Sequence, residues 1–262
     1  MKKTIYKLTI PALLLMTITL FSCEELWDRH VDGNGDRKME DRNLAGFDRI
    51  EVNGDFEVQV DTGIESFATV EADENLLDFI VTHVSGHTLI IETREGYDLR
   101  PSHPIEIKVT TPDITQIDLN GSGLIYSYGI QTDELSVNLA GSGEIDLDNL
   151  VTTIANLNLE GSGYINARLD AADVKALLEG SGDIKLDGIC NNSDLKITGS
   201  GKIKASELNT DVCVVYISGS GVADTWVNTA LDVTIIGSGT VYYTGNPVVD
   251  KYISGSGQVR ER

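Results

Sequence analysis

The chain has 262 residues, of which 41 are Asp or Glu, 20 are Lys or Arg, 26 are Gly and only 5 are Pro, and 41% are apolar. That much apolar sequence supports one or two substantial cores and excludes a disordered polymer. A formal charge of -21 excludes a general nucleic-acid binder, whose phosphate target demands a basic footprint, and favours cations or basic partners.

Residues 1–22 carry Lys2, Lys3 and Lys7 and no acid, and residues 8–21 are an apolar run of 14. A membrane-spanning helix needs about 20 such residues, so the run fits the core of a secretory signal peptide. It ends in Leu20-Phe21-Ser22-Cys23, where a small residue precedes a cysteine three places after a leucine, and so resembles the lipobox of bacterial lipoproteins. The resemblance implies cleavage before Cys23 and lipidation of its thiol and amine. The expected location is the bacterial cell envelope, at the outer membrane, with the lipid anchor as the membrane contact. The bland alternative is an ordinary cleaved signal followed by an incidental cysteine. Residues 23–45 then comprise the lipidated cysteine and a polar stretch without apolar period, which reads as a flexible tether. Asp32-Gly33-Asn34-Gly35-Asp36 resembles the opening of a calcium loop. Arg37 stands where that loop needs glycine and Asn43 where it needs a bidentate glutamate, so no metal is expected there.

Residues 46–115 read as an N-terminal β region. Ile50, Val52, Gly54, Phe56, Val58 and Val60 alternate with polar residues, and strand-like runs follow at 67–72, 88–92 and 104–110. Residues 72–84, with Leu76, Leu77 and Ile80, are the one candidate for a helix or helical turn. This region is expected to be an atypical cap, since a solenoid must hide its open strand edges.

Residues 116–262 are periodic. Gly-Ser-Gly begins at Gly121, Gly141, Gly161, Gly180, Gly199, Gly219, Gly237 and Gly255, so each repeat is 18 to 20 residues long and sixteen of the 26 glycines belong to the period. Two places before each triplet stand Leu119, Leu139, Leu159, Leu178, Ile197, Ile217, Ile235 and Ile253. Four places before, the column is apolar except for Lys251, and four places after it runs from Ile125 to Val259. Even spacing on both sides of the triplet is the period of a strand with one buried face. The pattern predicts an all-β, single-stranded β-helix or β-solenoid with an atypical N-terminal capping region. At about 4.8 Å per coil, eight triplets stack into a column of roughly 35 to 40 Å. The glycines are expected to face inward, where the wall bends or approaches the opposite wall, and the serines outward as a ladder of hydroxyls.

The segment Gly46-Phe47-Asp48-Arg49-Ile50-Glu51-Val52, together with Val70-Glu71-Ala72-Asp73-Glu74-Asn75-Leu76 and the serial Gly-Ser-Gly coils, resembles the bacterial putative auto-transporter adhesin, head GIN domain family. The resemblance covers residues 46–257. It implies an exported lipoprotein built as a β-helical solenoid, and it brings no established catalytic residues.

The remaining residues offer little chemistry. Cys213 lies in the apolar column of Leu135, Val174, Leu231 and Val249 and reads as core, out of register with Cys190 for a disulfide. His30, His83, His87 and His103 match no metal motif, and no nucleophile elbow or phosphate loop is present. Asp146, Asn166, Lys185, Lys204 and Asp224 share an outward column of mixed sign, as a solvated wall would. Tyr126, Tyr216, Tyr242 and Tyr252 occupy outward positions and are the candidate binding surface for a glycan or protein. The expected function is therefore a lipid-anchored adhesin or binding module, without catalysis, cofactor or nucleic acid. A structural, self-associating homo-oligomeric component and a glycan-active β-helix enzyme are the alternatives.

Overall fold

The computed structural model describes residues 29–262; the export segment and Cys23 lie outside the described residues. From Gln116 onward the chain winds as one parallel β-solenoid. Strands Gln116–Gly121, Glu134–Gly141, Glu144–Gly161, Tyr164–Gly180, Asp183–Gly199, Lys202–Gly219, Val222–Gly237 and Val248–Gly255 follow one another in chain order. Each pairs in parallel with the next, and the first glycines of all eight triplets are register partners from Gly121 to Gly255.

The alternating apolar residues fill the interior. Leu119, Leu139, Leu159, Leu178, Ile197, Ile217 and Ile235 are closed off from solvent, as are Ile125, Ile145, Ile165, Ile184, Ile203, Ala223 and Val241. They belong to a single core that begins at Phe47. Burial of a Val, Leu or Ile side chain contributes about 1.5–3 kcal/mol, so the columns supply the main drive for coiling.

The triplets set the corner between two walls. At Gly161 φ is 123°, in the range that favours glycine, and a Cβ there would lie 2.4 Å from the carbonyl oxygen of Gly141. The close neighbour is thus the preceding coil, and not the opposite wall. The expected ladder of serine hydroxyls does not form. The serine hydroxyls face solvent, and the ladder runs through the serine backbone, whose N–H donates to the first glycine carbonyl of the coil before at 2.8–3.0 Å. The second glycine is buried, and at Gly163 a Cβ would meet both Gly143 O and Leu139 Cδ2 at under 3 Å. The corner extends one coil beyond the repeat. Gly54, with φ of 132°, donates to Asn120 O at 2.9 Å, and buried Phe56 takes the place of the second glycine.

Before the repeat the pairing changes sense. Arg49–Asn53 and Glu57–Thr62 continue the parallel walls, but Phe67–Asp73 runs antiparallel to Glu106–Thr111 and Ile80–Ser85 antiparallel to Thr88–Thr93, which closes this end. Residues 72–84 are not one helix. A 3-10 segment, Glu74–Phe79, buries Leu76 and Leu77 and gives way to the strand Ile80–Ser85.

The reading of residues 24–45 as a free tether is overturned from Arg29 onward. Arg29–Asp32 pairs in parallel with Tyr97–Arg100, and Arg37–Asn43 covers Phe67–Asp73 as an antiparallel edge strand. These strands bury little apolar surface, so they show no period. Backbone ladders hold them, with Arg37 bridging to Glu71 and Glu106 at 3.1 and 3.2 Å. The calcium-like loop has the wrong polarity for a cation. It wraps the carboxylate of Asp73, 1% exposed, which accepts the backbone N–H of Gly35 at 2.7 Å and of Ser102 at 2.9 Å, and the Ser102 hydroxyl. Burial pushes the Asp73 carboxyl up, but the hydrogen bonds from Ser102 and Gly35 outweigh it and hold the group below its ordinary range.

The last coil, Val248–Gly255 with Gln258–Glu261, is an open edge. Lys251 is register partner to Val233, at the end of an apolar column, and is exposed. A lysine at that place deters strand addition.

A Gly161→Ala variant is expected to lose more than about 2 kcal/mol, because it combines an unfavourable φ with a backbone collision. Ser162→Ala should stay within about 0.5 kcal/mol, because its hydroxyl carries no ladder. Denaturant unfolding of the two variants measures both.

Candidate functional site

Parity turns alternate residues outward on each wall that flanks the triplets. On the wall after the triplets, Tyr126, Asp146, Asn166, Lys185, Lys204, Asp224 and Tyr242 are successive register partners. Six strand spacings, roughly 29 Å, therefore separate Tyr126 from Tyr242. Tyr216 and Tyr252 lie on the wall before the triplets, two coils apart with Thr234 between them. The four tyrosines thus occupy separate places and do not converge on one patch.

Each tyrosine has its own surroundings. Tyr126 packs edge-to-face with Tyr128, ring centroids 5.6 Å apart, and its hydroxyl donates to Gln59 Oε1 at 3.3 Å. Tyr128 is 67% exposed, and the parity continued seven places past Gly121 marks it as outward. Both rings stand in a cleft with Glu57, Glu144, Asp146 and Asp148. Burial, then Tyr128 and the carboxylates of Glu106, Glu57 and Asp61, push the Tyr126 hydroxyl above its usual pKa. The guanidinium of Arg262 lies 4.4 Å over the Tyr242 ring, and the ammonium of Lys196 lies 5.9 Å over the Tyr216 ring. Tyr252 is 65% exposed.

The mixed-sign column is tied up internally. Asn166 donates to Asp146 at 2.7 Å, Lys185 pairs with Asp187 at 2.8 Å, Lys204 with Asp183 at 2.6 Å, and Arg262 with Asp224 at 3.0 Å. The Asn166–Asp146 and Lys204–Asp183 pairs join neighbouring coils, Lys185–Asp187 stays within one strand, and all four leave the acids acting as acceptors. Among the described residues no group of three His, Cys, Asp or Glu side chains is placed to hold a metal. His30 is hydrogen-bonded to Asp98 at 2.7 Å, and His83 lies in a hairpin strand that ends just before His87.

The wall before the triplets carries a second groove of about 400 Å³, in which Asn156, Asn158, Lys175, Leu177, Asp194 and Lys196 meet. Composition alone gave no sign of it, because its residues come from successive coils, from Ser136 to Lys196, that only stacking brings together.

Of the three cysteines, Cys190 and Cys213 lie among the described residues, and both are free, buried thiols. Cys213 faces inward in register with Ser193 and Leu231, as its column requires, and the Thr225 hydroxyl donates to its Sγ at 3.5 Å. Burial pushes the Cys213 thiol up to about 11 and raises that of Cys190 as well.

A closed aliphatic interior with ordered polar columns on its outer walls defines a parallel β-solenoid. The chain belongs to the putative auto-transporter adhesin, head GIN domain family, which matches it at residues 46–154 and again at 148–247. The two matches overlap inside the strand Glu144–Gly161, so they mark a continuous solenoid and not a domain boundary. Three crystal structures share the fold. One is of a putative lipid binding protein from Parabacteroides distasonis, 29% identical, covering 89% of this chain and 100% of its own, with a TM-score of 0.85. A putative adhesin from Parabacteroides merdae is 22% identical over 89% of this chain and 99% of its own, TM-score 0.85. A putative adhesin from Parabacteroides distasonis is 23% identical over 89% and 100%, TM-score 0.84. No curated protein matches the chain.

The buried thiol links stability to alkaline pH. Between pH 9 and about 11 an unfolded chain releases the Cys213 proton while the folded protein retains it, so stability present below pH 9 is lost as pH rises through the folded value. The melting temperature should fall across that interval by more in the parent protein than in Cys213→Val. Native Cys213 should also resist alkylation at pH 8 and react once denatured, as mass spectrometry would show.

Proposed function

We propose that this protein is a lipid-anchored component of the bacterial envelope, placed at the outer membrane, whose solenoid acts as an adhesin by binding and not by catalysis. The observation that carries the reading is the unbroken register of the triplets from Gly121 to Gly255, which holds the outward columns beside them at fixed spacing. A surface of that kind suits repeated weak contacts, whose sum exceeds any one of them. Membership of an adhesin family supports it. So does the lipobox-like Cys23. Five residues separate Cys23 from Arg29, so the capped end would sit within roughly 20 Å of the anchor, and the long walls would project away from it.

The name of the Parabacteroides distasonis relative raises lipid binding. In this chain the aliphatic interior is filled from Ile117 to Val241, so a lipid would have to use an outer wall. Self-association through the last coil is opposed by Lys251 at its edge.

Protease treatment of intact cells should remove the protein, and Cys23→Ala should shift it from the membrane to the soluble fraction and abolish incorporation of labelled fatty acid. Full protection from protease would refute the adhesin reading, and unchanged membrane attachment of Cys23→Ala would refute the anchor.

A further inference from the structure

The outward column three residues before each triplet starts as an amide ladder. Asn158 Nδ2 donates to Asn138 Oδ1 at 2.8 Å, and Asn138 Nδ2 donates to Asp118 Oδ1 at 2.6 Å. Every donor points toward the N-terminal neighbour, so each rung needs a donor from the following coil to use its own carbonyl. The next register partner of Asn158 is Leu177, which has none. The ladder therefore ends with an acceptor facing an apolar side chain. In the column beside it Asn156 likewise gives its amide to Glu134, at 3.0 Å, and its register partner is Lys175.

What lies past the break is complementary. Lys175 and Lys196 stand diagonally across Leu177 and Asp194. The ion pairs of the two walls are Arg168–Asp148, Lys185–Asp187, Lys204–Asp183 and Arg262–Asp224, which leaves both lysines without a carboxylate partner among the described residues. Lys196 also lies over the Tyr216 ring of the next coil, and in the groove the apolar side chain of Leu177 adjoins two ammonium donors, two amide acceptors and one carboxylate. Asp173 lines the adjoining depression with Lys175 and Asp194. Two lysines stand against Asp194, Asp173 and the Glu134 that holds Asn156, a local sum of -1, so in a chain of formal charge -21 this groove is close to neutral. A polyanion is repelled by the rest of the molecule, and a polycation finds better sites on the acidic wall.

We infer that this groove binds an uncharged polysaccharide, lying along the solenoid axis across the coils that carry Asn158, Lys175 and Lys196. The ammonium groups donate to sugar hydroxyls, the two amide carbonyls and Asp194 accept from them, and Leu177 takes the C–H face of a ring. The inference rests on the reading of the solenoid as a binding surface and names the ligand class of one wall.

Affinity electrophoresis of the full-length protein in detergent tests it, with dextran, galactomannan and hydroxyethylcellulose as uncharged polymers and polygalacturonate and polylysine as charged ones. At least one uncharged polymer should retard the protein. Asn158→Ala/Lys175→Ala should weaken that retardation at least ten-fold, while Tyr242→Ala on the other wall leaves it unchanged. Leu177→Asn provides a variant expected to fold at least as well, because it extends the ladder by donating to Asn158; it should weaken binding by occupying the acceptor and removing the shelf. Retardation by charged polymers alone, by none, or equally in the parent and both groove variants overturns the inference. Surface exposure in the protease experiment together with no polysaccharide binding removes this ligand and leaves the adhesin reading standing.

Discussion

One backbone contact repeats at every coil and the rest of the structure depends on it. The carbonyl of the first triplet glycine accepts the serine N–H of the following coil, and the separation leaves no room for a Cβ on the next glycine. Because the contact is backbone to backbone, it fixes the coils in register whatever the outward side chains are. The aliphatic columns then stack directly over one another, and their burial holds the corner closed.

This division leaves the outer walls free of folding duty. Strand pairing and the interior determine where each outward column stands, while polar pairs such as Asn158–Asn138 and Lys185–Asp187 only trim it. A change of residue on a wall therefore alters what the wall can bind at small cost to the coil beneath. The break in the amide ladder at Leu177 and the paired rings of Tyr126 and Tyr128 are local features of that kind. They stand on a support that does not move when they are altered.

The two ends solve the edge problem by different means. At the N-terminal end, antiparallel strands and the Asp73 carboxylate, locked by backbone amides from two loops, seal the sheet. In the last described coil, Val248–Gly255 with Gln258–Glu261, Lys251 interrupts the apolar column where a second sheet edge would dock.

The repeat was legible in the sequence because every coil answers to the same local constraint. A residue at an even place from the glycine must be apolar, and the glycine itself must tolerate positive φ, so period, wall parity and the inward place of Cys213 all follow from spacing alone. The cap was not legible, because Arg29–Asp32 and Arg37–Asn43 are held by partners 24 to 68 residues away through backbone and charge, which leave no period. The serine ladder was assigned to the wrong atoms, since spacing places a residue on a face but does not say whether its hydroxyl or its amide reaches the next coil. The candidate sites needed the fold for the same reason. Outward parity could mark Tyr126 or Lys196 one at a time, and only stacking of successive coils decided that Asn158, Lys175 and Lys196 share a groove while the four tyrosines do not share a patch.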